Sequence, residues 1–142
     1  VLGHPLHPVT VHLPIGLLLA ASLLDALVAL GIRPQWADFA QGALIGGLLA
    51  AGLAVCAGFV DFLSIPPGAK MERTATLHIA FILAALTLYG GALAWRMIGP
   101  ADAGIAAILS VAGGFVLMVA GWFGGQLVYH FGQGVRTKEK TS

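Results

Sequence analysis

Residues 3–31, GHPLHPVTVHLPIGLLLAASLLDALVALG, run from a lead rich in histidine and proline into an apolar segment, His12 to Gly31, whose one charge is Asp25. A run of that length matches the roughly 20 residues a helix needs to cross a hydrocarbon layer about 30 Å thick. Pro14 lacks an amide proton and is tolerated in a first helical turn, so the helix is expected to start between Thr10 and Leu13. His12 then stands at its mouth. His4 and His7 lie outside it on a lead stiffened by Pro5 and Pro8. Arg33 and Pro34 end the segment. Asp25 is two turns before that end and roughly 220° around the helix from His12. An acid inside a span is a functional candidate by default, although a hydrogen-bonded structural carboxylate near the far interface is the plainer expectation.

Composition extends the pattern to the whole chain. Of 142 residues, 58% are hydrophobic and 9% charged, against about 25% charged in an ordinary soluble domain. Such a chain cannot cover its apolar surface with polar groups in water, so a lipid bilayer is its expected solvent. A net charge of +1 offers no footprint for nucleic acid. The single cysteine, Cys56, rules out a disulfide framework and a CxxCH haem attachment site, and within its apolar run it reads as a buried free thiol. The first apolar segment is too long for a signal-peptide core and lacks a basic leader and a clear cleavage site. It is expected to remain in the mature protein.

Three more apolar segments follow. The second is free of charge from 39 to 60, and Gly42, Gly46, Ala50, Ala54 and Gly58 recur in it every four residues. That ladder predicts a face for close helix approach, the way helices associate where lipid supplies no hydrophobic driving force. Asp61 follows, and Pro66, Pro67 and Gly68 make a turn. The third segment, charge-free from 74 to 95, comes after a hinge holding Lys70, Glu72 and Arg73 and carries His78 one turn inside. The fourth runs from about Ala103 to Tyr129, longer than a bilayer needs, with Gly121 and Gly125 as a second close-approach pair. The expected architecture is all-α: one integral-membrane four-helix bundle over residues 1–142, with helices at about 12–31, 38–63, 73–97 and 102–129. Lys70, Arg73, Arg136, Lys138 and Lys140 lie on one side and Arg33 and Arg96 on the other, which predicts both termini in the cytoplasm.

A faint echo suggests two related hairpins. His12 and His78 open the first and third segments, and the triplets Ala57-Gly58-Phe59 and Ala120-Gly121-Trp122 close the second and fourth. Duplication would relate the hairpins by an axis along the membrane normal, across which the two histidines face each other.

Helical rise sets their depth. At 1.5 Å per residue His12 lies roughly 31 Å from Arg33 and His78 roughly 27 Å from Arg96. If both arginines mark the far surface, both imidazoles lie at or just under the near one. Asp61 reaches the same layer and His130 lies slightly outside it. Imidazole is the commonest transition-metal ligand and an axial ligand of haem iron. His12 and His78, from different helices at similar depth, would clamp a b-type haem, with Lys70 and Arg73 as cationic partners for its propionates. The other chemistry is a compact zinc, copper or non-haem iron site built from His4, His7, His12, His78 and His130 with Asp61. The plain alternative binds no cofactor: the histidines are interfacial polar residues, and Trp36, Trp95, Trp122 and Tyr129 form an interfacial belt. No nucleophile with a base, phosphate loop or carboxylate pair is present, so independent catalysis is not expected.

The opening HPLHPVTVHLPIG and the closing GGQLVYHFGQGV resemble a bacterial family of predicted four-helix membrane proteins of unknown function. The likeness covers nearly the whole chain. Relatives joined to Rieske-type iron-sulfur or cytochrome c domains imply electron transfer nearby. The resemblance carries over to His4, His7, His12 and His78. At the exit, where the family has LVYRHG, Leu127 to Gly132 reads LVYHFG, so His130 falls one place early. The expected protein is thus an electron-transfer or accessory subunit of a larger redox complex in the bacterial inner membrane. The rivals are a cofactor-free structural subunit docking on a larger membrane complex, and a non-haem metal-binding protein.

Overall fold

A computed structural model describes residues 11–63, 65, 68–69, 71–99 and 103–132. Among them are four α-helices, α1 (His12–Ala29), α2 (Ala37–Leu63), α3 (Glu72–Ile98) and α4 (Ala103–Tyr129), with a short 3-10 turn at Pro34–Trp36. All four are long and apolar enough to cross a membrane. At 1.5 Å per residue α1 extends roughly 27 Å and the others roughly 40 Å. The longer three must tilt or project beyond a hydrocarbon layer about 30 Å thick.

Local sequence accounts for the ends of α1. The helix begins at His12, which keeps Pro14 in the first turn. It stops at Gly31, whose φ of 69° is open to glycine at little cost. The Gly31 amide donates to the Val28 carbonyl and the Ile32 amide to the Leu27 carbonyl, both at 3.0 Å. These two bonds satisfy carbonyls that the helix end leaves over. The chain then turns through Arg33, whose guanidinium stands 5.6 Å from the Trp36 ring centre.

Packing is most extensive within the hairpins α3–α4 and α1–α2. The contact of α1 with α4 joins them, and α2 packs less extensively on α3. Across the centre, α1 and α3 run parallel in a fixed register: Tyr89 bonds Leu18 and Arg96 bonds Asp25, both 71 residues apart. The end bearing His12 and His78 is called near, and that bearing Asp25 and Arg96 far. The core sets Leu18, Leu44, Tyr89 and Leu117 among Ala21, Ala51, Ala85 and Ala92, small side chains that let the backbones approach.

The close-approach faces differ from the predicted ones. On α2 the buried positions are Ala40, Leu44, Gly47, Ala51 and Ala54. A Cβ on Gly47 would lie 2.7 Å from Leu18 Cδ2 and 3.2 Å from the Leu18 backbone nitrogen, whereas Gly42 has nothing within 4 Å and Gly46 is in ordinary contact with Leu17 at 3.5 Å. The reason is angular. Steps of four residues turn roughly 40° each at 100° per residue, so a five-rung ladder sweeps too far to face one neighbour, while alternating steps of four and three hold a seam. On α4, Gly121 has nothing within 4 Å and Gly125 meets only its own helix's Tyr129, at 3.9 Å. The tight positions there are Gly113, Gly114 and Gly124. Cys56, two residues past the buried Ala54, is exposed rather than buried, because that step rotates it to the outer face.

Two further expectations are revised. The hairpins are not packed symmetrically, since α1 on α4 is far more extensive than α2 on α3. Arg96 is no surface marker: its side chain is 15% exposed and turns inward to Asp25.

Candidate functional site

His78 sits in the second turn of α3, half-buried, with its ring laid on α4. Its Nδ1 is 2.9 Å from the Ala120 carbonyl oxygen. A carbonyl only accepts, so Nδ1 carries the proton in this bond. Gly124 makes the seat. A Cβ there would stand 3.1 Å from Cε1, 3.3 Å from Nδ1 and 3.8 Å from Nε2, so the ring needs a glycine beneath it and Nε2 stands furthest off. One turn on, Phe81 and Phe123 stack with ring centres 5.5 Å apart and planes within 10°, pinning α3 to α4 beside the seat. Gly124 was not singled out by the sequence, which offers three glycines, 121, 124 and 125, within five residues and no phase to choose among them.

The other predicted site residues are dispersed. His12 is exposed in the first turn of α1, and among the described residues no hydrogen bond joins it to His78. The two share the near end of the bundle. His130 is exposed just past α4, edge-on to its neighbour Phe131 at 4.7 Å. Arg73 is exposed at the start of α3, on the rim of a shallow depression lined also by Gly68, Ala69, Glu72 and Thr76. Glu72 Oε2 closes that corner by accepting from the Gly68 amide at 2.6 Å. His4, His7 and Lys70 lie outside the described residues, and of Asp61 only the backbone, in the last turn of α2, is described. Among the described residues no three of His, Cys, Asp and Glu gather as a metal-ligand set.

The sequence also missed the partners of its one intramembrane acid. Asp25 and Arg96 pair across the bundle, and Asp25 is 3% exposed. Both were visible as lone charges at the far ends of apolar segments, so the signal existed. Between this pair and the bundle centre lies a hydroxyl cluster. Ser22 Oγ is 2.7 Å from the Ser110 carbonyl and 2.8 Å from Tyr89 Oη, and Tyr89 Oη is 3.0 Å from the Leu18 carbonyl. Each hydroxyl has one proton. Two protons thus serve three contacts: with Ser22 donating to the Ser110 carbonyl, Tyr89 donates either to the Leu18 carbonyl or to Ser22 Oγ. Gly114 permits this contact, since a Cβ there would lie 2.8 Å from Ser22 Oγ.

Do these residues fit a haem? An axial histidine is normally held through its other nitrogen by a carbonyl or carboxylate, and His78 has that arrangement. His12, at the same end, makes no such bond among the described residues. Half of the predicted ligand pair therefore has an ordered second contact.

A family model described as Predicted membrane protein (DUF2231) matches residues 3–137. No curated protein and no solved structure matches the chain.

Proposed function

The chain belongs to the DUF2231 family of predicted membrane proteins, and on that premise we propose that it is an electron-transfer or accessory subunit of a membrane redox complex. Its cofactor is a b-type haem held between α1 and α3 by His78 and His12. The observation carrying this is the bond from His78 Nδ1–H to the Ala120 carbonyl, which fixes the ring on α4 through the kind of second contact that orients a ligating histidine.

When bound, haem supplies one-electron chemistry at its iron. The chain's own residues do the rest. Ala120 sets the tautomer, Gly124 admits the ring, and the Phe81–Phe123 stack holds the two helices in register. Arg73 at the near rim, with Lys70 preceding it, offers cations to the propionates. His12 would hold the haem together with His78, from the mouth of α1. The excess of basic residues at the near end puts both termini in the cytoplasm, and a bacterial inner membrane is the setting in which a Rieske-type or cytochrome c partner would exchange the electron.

The accessory half of the proposal has its own support. Gly42, Leu49, Gly52 and Leu53 of α2 are exposed, and a Cβ on Gly42 or Gly52 would meet nothing within 4 Å. A small-residue surface left unused inside the bundle suits close docking on another membrane helix. Spectra of purified His78→Ala and His12→Ala variants separate the possibilities. Each variant should lose the low-spin signal of two-histidine ligation, while complex assembly persists. If no haem is bound but zinc, copper or iron is, and His7→Ala and Asp61→Asn release it, the metal is non-haem. If assembly and electron flow survive His12→Ala with His78→Ala, the subunit is structural.

A further inference from the structure

The far half of the bundle contains polar groups that the haem proposal does not use. Ser22 and Asp25 come from α1, Tyr89 and Arg96 from α3, and Ser110 from α4. Arg96 reaches Asp25 Oδ1, but Asp25 Oδ2 has no hydrogen-bond partner among the described residues, and neither does Ser110 Oγ. Both residues are deep inside, at 3% and 0% exposed. Ser22 is one turn below Asp25 on the same buried face of α1 and bonds the Ser110 carbonyl. The residues bearing the two orphan oxygens therefore lie about one turn apart in depth, or roughly 5 Å of helix rise, beside the α1–α4 seam where Ser22 bonds Ser110. Around Ser110, α4 presents Ala106, Ala107, Gly113 and Gly114, which are all buried and small.

Chemistry selects what belongs there. A buried polar atom left dry forfeits its hydration, more so when it carries charge. A cation would be repelled by the Arg96 guanidinium and an anion by the Asp25 carboxylate. A neutral molecule that both donates and accepts meets neither objection. We propose that this seam is a water-binding site, in which water donates to Asp25 Oδ2, exchanges hydrogen bonds with Ser110 Oγ, and is reached from the far end past Arg96. Ser22 Oγ bonds the Ser110 carbonyl and lies 2.8 Å from Tyr89 Oη, so water held at Ser110 Oγ stands beside both hydroxyls and supplies them with exchangeable protons, nine residues or roughly 14 Å from the far end of α3. The far half of the span is thereby a hydrated path ending at mid-depth, independent of any haem at the near end.

The chain's two tyrosines make the test clean, because Tyr129 is 92% exposed and Tyr89 fully buried. Protein labelled with tyrosine carrying carbon-13 at Cζ, in nanodiscs, is moved from H2O to D2O, and the isotope shift at Cζ times the exchange of each hydroxyl. Tyr89 should exchange within minutes in the unaltered protein and severalfold more slowly in Ser110→Ala. That variant should also melt several degrees lower, since Asp25 loses a water that Ser110 helped to hold. Retention of the Tyr89 proton for hours in the unaltered protein would overturn the proposal. So would an unchanged exchange time in Ser110→Ala, or a higher melting temperature, the response expected when a dry, unpartnered hydroxyl is removed. The measurement on the unaltered protein decides by itself if the variant does not fold.

Discussion

His78 owes its orientation to two residues of another helix, and that dependence can be measured. Placing a methyl group at Gly124 puts a Cβ 3.1 Å from the ring, so the imidazole must shift by a few tenths of an ångström against its bond to the Ala120 carbonyl. Gly124→Ala is therefore expected to shift the His78 ring nitrogen signals in NMR and to cost about 1–3 kcal/mol as an overpacked contact. Gly121→Ala, with open space around it, should leave both unchanged. At the far end, Arg96→Leu leaves the Asp25 carboxylate buried without its partner, a loss of about 3–5 kcal/mol in unfolding free energy for a broken buried pair. Asp25→Leu should cost less, because Arg96 is two residues from the end of α3 and its long side chain can extend toward the surface. The double variant should recover most of the loss. His78, Asp25 and Arg96 all stood out in the sequence as isolated polar residues in apolar runs. The seat of His78 did not, because Ala120 and Gly124 are common residues whose importance comes only from the ring that each one faces.

The four helices were readable from apolar length, and the end of α1 from Gly31 with Arg33 and Pro34 beyond it. Which face of each helix turns inward was not. In a bilayer the outward face is as apolar as the core, so hydrophobic periodicity carries little information about packing. Leu49 and Leu53 point outward while Ala51 and Ala54 are buried. The ladder at intervals of four followed residue size alone, and it selected Gly42 and Gly46 where Gly47 holds the α1–α2 contact. Two substitutions test this assignment. Gly47→Val forces its side chain into Leu18 and the α1 backbone, and should lower stability by about 1–3 kcal/mol in detergent unfolding. Gly42→Val faces open space and should stay within roughly 0.5 kcal/mol. If the docking surface is used, Gly42→Val weakens co-purification with the partner instead.

As a whole the molecule is two hairpins joined by α1 on α4, with polar contacts between α1 and α3 at mid-depth and at the far end, and with His12 and His78 at the near end. That arrangement divides the bundle into a near half with the two histidines and a far half with the Asp25–Arg96 pair and the hydroxyl cluster. The charge count of the loops predicts the near end in the cytoplasm. A reporter fused after residue 142 that is active only inside the cell should be active, and one active only outside should be silent. The haem ligands are the central claim, and the visible spectrum of the purified full chain, reduced minus oxidised, tests them most directly. Protein expressed with ample haem should show sharp reduced bands of two-histidine ligation that disappear in His78→Ala. A spectrum with no haem band in the unaltered protein, or one indifferent to His78→Ala, would contradict the account.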